Sequence, residues 1–224
     1  MKNGRNPACP GVILAAVAAG ALLLISACQT TGGRDSMGNP LQLTEWTVID
    51  VAEVDLTFPV LITPKVTKAE YQNRDNVINH YRLQLDGGKG LIFTQRTPEA
   101  FYGNKAEQQY RDMETFKKAL SEAFKADLVS VGDIREVRHS SKKAVGFATV
   151  VDVKDPAKSK CFVAKVGYRV KGATSYDNDY GNVDTFVEIV YCDPGVRFGD
   201  FSRALENVGF VEDRAAFAAA LAAK

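Results

Sequence analysis

The chain has 224 residues, 46% of them apolar and 25% charged, with a formal net charge of +1. That length holds one domain or two small ones, and the composition is that of a globular protein. The near-neutral balance excludes the broad basic surface of a nucleic-acid binder, so no nucleic-acid partner is expected.

The amino terminus is the largest local anomaly. Lys2 and Arg5 are the only charges in the first 33 residues, and Val12 to Ile25 is an apolar run of 14 residues broken only by Gly20. A membrane-spanning helix needs about 20 apolar residues, so this run suits a secretory signal better than a span. It closes on Ile25-Ser26-Ala27-Cys28: an aliphatic residue, two small residues and a cysteine. The tetrad resembles the lipobox of bacterial lipoproteins, a resemblance confined to residues 1–28. It implies cleavage before Cys28, a diacylglycerol on the Cys28 thiol and acylation of the new amino group. Two or more acyl chains anchor stably where one binds reversibly. In that family an Asp after the cysteine retains the protein in the inner membrane. Gln29 stands there instead, which implies the outer membrane and its periplasmic face. No cofactor beyond this covalent lipid is expected.

Removing residues 1–27 from 224 leaves 197, with 26 Lys and Arg against 27 Asp and Glu. Residues 28–40 then read as a lipidated tether. The stretch QTTGGRDSMGNP has no apolar periodicity and four Gly or Pro residues, the composition of a flexible linker. Residues 41–224 form the expected periplasmic domain.

Val54, Leu56, Phe58, Val60 and Ile62 alternate with other residues and read as a strand, placed at an edge by Pro59. Tyr81, Leu83 and Leu85 alternate before Asp86-Gly87-Gly88, and Leu91-Ile92-Phe93 follow, which is the pattern of a hairpin. Gly87-Gly88-Lys89-Gly90 lacks the spacing of a phosphate-binding loop and is better explained as that hairpin's turn. Lys105 to Ala126 reads as an amphipathic helix, with Tyr110, Met113, Phe116, Leu120 and Phe124 on one stripe. Such a stripe is ordinarily core.

Residues 128–192 read as a four-stranded antiparallel meander. Leu128–Val137 is a candidate strand, and Val145 to Val153 alternate as a second. A turn at Pro156–Ser159 would place Val153 beside Phe162 and Phe147 beside Tyr168. Gly146, Ala148 and Gly167 would then make one face thin enough for a helix to approach closely. The segments 161–170 and 183–192 form the last hairpin. If Cys161 faces Cys192, Phe162 meets Tyr191, Ala164 meets Ile189 and Val166 meets Val187 on one face. On the other, Val163 meets Val190, Lys165 meets Glu188 and Arg169 meets Asp184. Apolar and opposite-charge pairs of this kind stabilise a sheet, and a slip of one residue would scramble both faces. In an oxidising compartment this pair is expected to form a disulfide. The rival readings are two free thiols or a metal pair, the latter weak because zinc takes three or four protein ligands.

Phe198, Phe201, Leu205 and Val208 suggest a helix ending at Gly209. Val211 to Ala223, rich in alanine, suggests another, opened by Glu212 and Asp213. The expected fold is therefore α+β: an antiparallel meander with an amphipathic helix before it and two C-terminal helices packed on it.

The search for chemistry finds little. His80 opens a strand and His139 sits in a loop, where each reads as structural or solvated. A Ser-His-acid triad needs a presented nucleophile beside one of them, and no G-x-S-x-G or H-E-x-x-H occurs. The loop holding Tyr176, Asp177, Asp179 and Tyr180 has acids and amides. Its glycine is misplaced for a calcium loop and Glu188 is spent on Lys165, so a solvated turn is preferred. Its two tyrosines make it a candidate recognition tip. The sequence thus points to a membrane-anchored envelope lipoprotein with a binding or structural domain. Its expected partner is an envelope protein or peptidoglycan. The alternative is a periplasmic hydrolase of cell-wall or lipid substrates, with carboxylates that leave no motif.

Overall fold

A computed structural model describes residues 44–57, 65–74, 78–97, 110–140, 143–169, 183–211, 215–216 and 218–219. Cys28, the tether, residues 58–64 and the loop of Tyr176, Asp177, Asp179 and Tyr180 lie outside the described residues. Strands β1 (Thr47–Ile49), β3 (Val66–Arg74), β4 (Ile78–Leu85), β5 (Gly90–Arg96), β6 (Leu128–Val131), β7 (Arg135–Glu136), β8 (Ala144–Val153), β9 (Lys160–Tyr168) and β10 (Thr185–Cys192) form one sheet. Its order is β1-β3-β4-β5-β10-β9-β8-β6, with β7 also on β8, and every pairing is antiparallel. A small second sheet pairs β2 (Leu56–Thr57) with β11 (Gly209–Phe210). Helices α1 (Met113–Phe124) and α2 (Phe198–Leu205) complete an α+β fold.

The expected meander is present and extends further. β10 pairs with β9 on one side and with β5 on the other, joining the meander to the upstream hairpin. All eight residues of β10 are buried, which is why its sequence is nearly continuous in apolar residues. The β4–β5 hairpin turns at Asp86-Gly87-Gly88, where all three residues have positive φ. The expected strand at residues 128–137 is two short pieces. Strand β2 is all that the described residues show of the one expected from Val54.

The β9–β10 register agrees with the expected one pair for pair, from Cys161 opposite Cys192 to Tyr168 opposite Thr185. Cys161 and Cys192 are joined by a disulfide. The β8–β9 register differs by three residues: Val150, not Val153, faces Phe162, and Phe147 faces Lys165. Between these strands Pro156–Lys158 makes a 3-10 turn, capped by the Asp155 carboxylate accepting from the Ala157 N–H. That turn uses more chain than a tight one. The odd shift puts Phe147, Val151 and Val153 on the face of Cys161 instead of the face of Phe162. It also separates the glycines expected to share a face. A Cβ on Gly146 (φ +148°) would collide with the Lys165 carbonyl oxygen, so the neighbouring strand, not a helix, requires it. Gly167 lies on the other face, under the Phe186 ring.

Among the described residues, α1 packs on one face and α2 on the other. Phe116, Leu120 and Phe124 of α1 pack with Phe147, Val151, Val163, Val190 and the disulfide. Each such burial contributes about 1.5–3 kcal/mol. Asp112 caps this segment, accepting from the Glu114 and Thr115 N–H groups; of the earlier part of the expected helix, Tyr110 and Arg111 are helical and residues 105–109 lie outside the described residues. Tyr110 lies before that cap and stacks on Phe186, ring centroids 4.2 Å apart. On the opposite face, Phe201 of α2 stacks on Phe162 at 4.9 Å. The Tyr168 hydroxyl donates to the Leu205 carbonyl at 2.9 Å. His139 is half-buried rather than solvated, with Nε2 2.8 Å from the Val208 carbonyl oxygen and its ring edge-on to Tyr168. Of the expected Ala-rich helix, Ala215–Ala216 and Ala218–Ala219 are helical and the rest lies outside the described residues.

Candidate functional site

A cleft of about 360 Å³ opens where the β4–β5 turn, the end of β10 and the start of α2 converge. Three parts of the fold supply its polar groups. Lys65 stands just before β3, Asp86 and Lys89 flank the hairpin turn, and Tyr191 and Asp193 bracket the disulfide cysteine Cys192. Val196 and Phe201 add apolar lining. Lys89 meets Asp193 because β5 and β10 are paired: the Cys192 N–H donates to the Lys89 carbonyl, at 2.8 Å.

The charges alternate in sign. Lys65 Nζ lies 3.1 Å from Asp86 Oδ2 and 3.2 Å from the Tyr191 hydroxyl, which itself donates to Asp86 Oδ2 at 2.7 Å. Lys65 also sits 4.7 Å over the Tyr191 ring. Across the cleft Lys89 Nζ donates to Asp193 Oδ2 at 2.8 Å, while Asp193 Oδ1 accepts from the Gly195 N–H. These contacts fix the protonation states. Burial works against charge on Lys65 and Asp86. Their bonds to Tyr191 and to each other outweigh it, raising the lysine and lowering the aspartate. Burial and then the Asp86 carboxylate raise the Tyr191 phenol, keeping it neutral. The Lys89–Asp193 hydrogen bond raises Lys89 and lowers Asp193. Asp86 holds a positive φ of 42°, a backbone state rare for a residue with a side chain. Its carboxylate is bound on two sides, which holds that turn in place.

A second polar cluster crosses the sheet on the α1 face. Directly opposed residues run Glu70, Arg82, Phe93, Glu188, Lys165 across β3, β4, β5, β10 and β9. Glu70 accepts from Arg82 at 2.9 Å and from Lys68 at 2.8 Å. Glu188 accepts from Lys165 at 3.0 Å and from the Tyr110 hydroxyl at 2.9 Å. Trp46 covers Arg82, the guanidinium 4.3 Å from the ring centroid. His80 lies beside this row, buried against Phe93, with Nδ1 3.5 Å from Gln72 Oε1. Burial, reinforced by Arg74, pushes it down to about 4. These charges are neutralised inside the sheet face, as buried ions require.

The structure brings together Cys161 and Cys192 among the residues singled out from sequence, and sets them beside the cleft rather than in it. The cleft residues themselves were not legible. Asp86 and Lys89 read only as turn residues, and their approach to Asp193 depends on the long-range β5–β10 pairing. Among the described residues no group of three or more His, Cys, Asp or Glu is placed to hold a metal ion. No described helix is long and apolar enough to cross a membrane. No protein-family model, curated protein or solved structure matches the chain.

Proposed function

We propose that this chain is a bacterial envelope lipoprotein, anchored through lipid on Cys28 to the periplasmic face of the outer membrane. Its body is a binding or structural domain rather than an enzyme. The observation that carries the reading is the Cys161–Cys192 disulfide, since such bonds persist in oxidising compartments beyond the cytoplasm. It agrees with the export signal and lipobox. The state of the cleft favours binding over hydrolysis. A carboxylate acting as general acid is raised toward neutral pH, whereas Asp86 is held low by the Tyr191 hydroxyl and Lys65, and Asp193 by Lys89. In this reading the loop of Tyr176, Asp177, Asp179 and Tyr180 is a second contact for an envelope protein or peptidoglycan. The Ala-rich segment 211–223 adds the second C-terminal helix.

The test is metabolic labelling with an alkyne fatty acid, paired with crosslinking in living cells, comparing wild type with Cys28→Ala. The reading expects acylation and a defined envelope partner in wild type, both lost in the variant. Unlabelled wild-type protein would overturn the anchor. Release of product from cell-wall or lipid substrates would overturn the non-enzymatic assignment.

A further inference from the structure

We propose that the cleft between the β4–β5 turn and α2 is a binding site for a zwitterionic, amino-acid-like group carrying an ammonium and a carboxylate close together. The argument starts from the pairing of its charges. Lys65 with Asp86 and Lys89 with Asp193 form two ion pairs that face the same cavity, and all four side chains are partly in water, between 28% and 51% exposed. Exposed pairs of this kind are worth little, so exchanging partners costs little. An anion that takes a lysine, however, leaves an aspartate alone, and a cation that takes an aspartate leaves a lysine alone. A ligand bearing both charges re-pairs both sides at once. The cavity therefore discriminates between a zwitterion and either single ion.

Two further observations sharpen the ligand. Asp200, in the first turn of α2, also lines the cleft, and its carboxylate has no ion-pair partner among the described residues. Three aspartates against two lysines give a net negative cavity that favours an additional ammonium, as in a diamino acid. Near Asp200 lie Phe201 and the Tyr191 ring, whose centroids are 4.9 Å apart. Both are almost fully buried and form the floor of the cleft, and the Tyr191 face carries the Lys65 ammonium. The volume lies at the small end for ligand sites, which fits a residue-sized group.

Such a group occurs as a free amino acid and in the peptide stems of a cell wall. The assay uses full-length protein in detergent micelles and isothermal titration with meso-diaminopimelate, L-lysine, acetate and n-butylammonium. Saturable binding of the two amino acids is expected, with the singly charged ions weaker by about tenfold. Asp200→Asn and Lys89→Met are each expected to weaken amino-acid binding about three- to fivefold, the share of one exposed ion pair. Asp200→Asn removes no ion pair among the described residues and keeps the side chain's size, and its thermal unfolding is compared with wild type. No saturable heat up to about 10 mM, equal response to the single ions, or unchanged affinity in both variants would overturn the proposal. A muropeptide that binds more tightly than free diaminopimelate assigns the wall as the source, and the reverse order assigns the free amino acid. The titration does not involve the lipid anchor, so it stands or falls separately from the labelling of Cys28.

Discussion

The β8–β9 and β9–β10 hairpins share a strand, yet different forces set their registers. In β9–β10 the two faces differ in chemistry. Phe162, Ala164 and Val166 meet apolar partners on one face, and Lys165 meets Glu188 on the other. A slip of one residue would drive charge into the α2 side, so the strands themselves specify the pairing, and the disulfide locks it. In β8 neither face is distinctly polar: Ala144, Gly146, Ala148 and the terminal Asp152 lie on one, Phe147, Thr149, Val151 and Val153 on the other. Polarity is indifferent to which face is which. Register there is set by the Asp155-capped turn, closed by the Val153 N–H donating to the Ser159 carbonyl, and by the close approach at Gly146. Where both faces of a strand are buried, the loop and the tightest backbone contact decide the pairing.

The strongest way to break this contrast is Gly146→Ala. The added methyl meets the Lys165 carbonyl in a backbone state unsuited to L residues, and a loss of about 4 kcal/mol is expected in urea unfolding. A tolerated alanine would show that β8 is not pinned there. Next is the double change Cys161→Ser with Cys192→Ser. With the cysteines 31 positions apart, the chain-entropy relation gives a loss of about 3–4 kcal/mol. Amide exchange across β9–β10 should nevertheless report the same pairing, because the face chemistry remains. A changed pairing would make the crosslink, not the strands, the source of register.

The β3–β4 hairpin, outside both, supplies a control through His80. Its folded-state value is depressed to about 4 from 6.5. Its contribution is therefore complete above about pH 6.5 and is lost as pH falls toward 4, up to about 3 kcal/mol. His80→Gln should flatten the stability profile in that window, leaving the further loss at lower pH as the depressed carboxylates of Glu70, Asp86 and Asp193 protonate. An unchanged profile would remove His80 as the cause. Lys165→Met removes the ammonium from the buried Glu188 and leaves it the Tyr110 hydroxyl, and a loss of about 2 kcal/mol is expected. The smallest effect is Asp155→Ala, about 1 kcal/mol from the lost cap. It should speed amide exchange at the β8–β9 turn while β9–β10 stays protected.

The same contrast explains what the sequence could tell. Features carried by local chemistry were legible: the turn at Asp86-Gly87-Gly88, the stripe Phe116, Leu120 and Phe124, and the β9–β10 pairing down to Lys165 with Glu188. The β8–β9 register was not, because alternation between two buried faces carries no direction. Strand β3 was hidden for the opposite reason. Its face toward the α1 side is Lys68, Glu70 and Gln72, polar residues whose partners, Arg82 on β4 and the Thr44 carbonyl among them, come from elsewhere in the chain. The cleft was least legible of all. Its charged groups are brought together by the β5–β10 seam, which joins segments about ninety residues apart, and no local pattern encodes such a contact.

That seam also imposes an order on events. A chain made from its amino terminus completes β3, β4 and β5 early, then β6 to β9, and releases β10 after all of them. Until β10 arrives, β5 and β9 each lack the neighbour that finishes them, and unfilled edges of this kind recruit foreign strands. One eight-residue segment ends both exposures together. Anything that delays its delivery lengthens the interval in which the nascent protein is vulnerable to aggregation, and the whole sheet waits on the same late arrival.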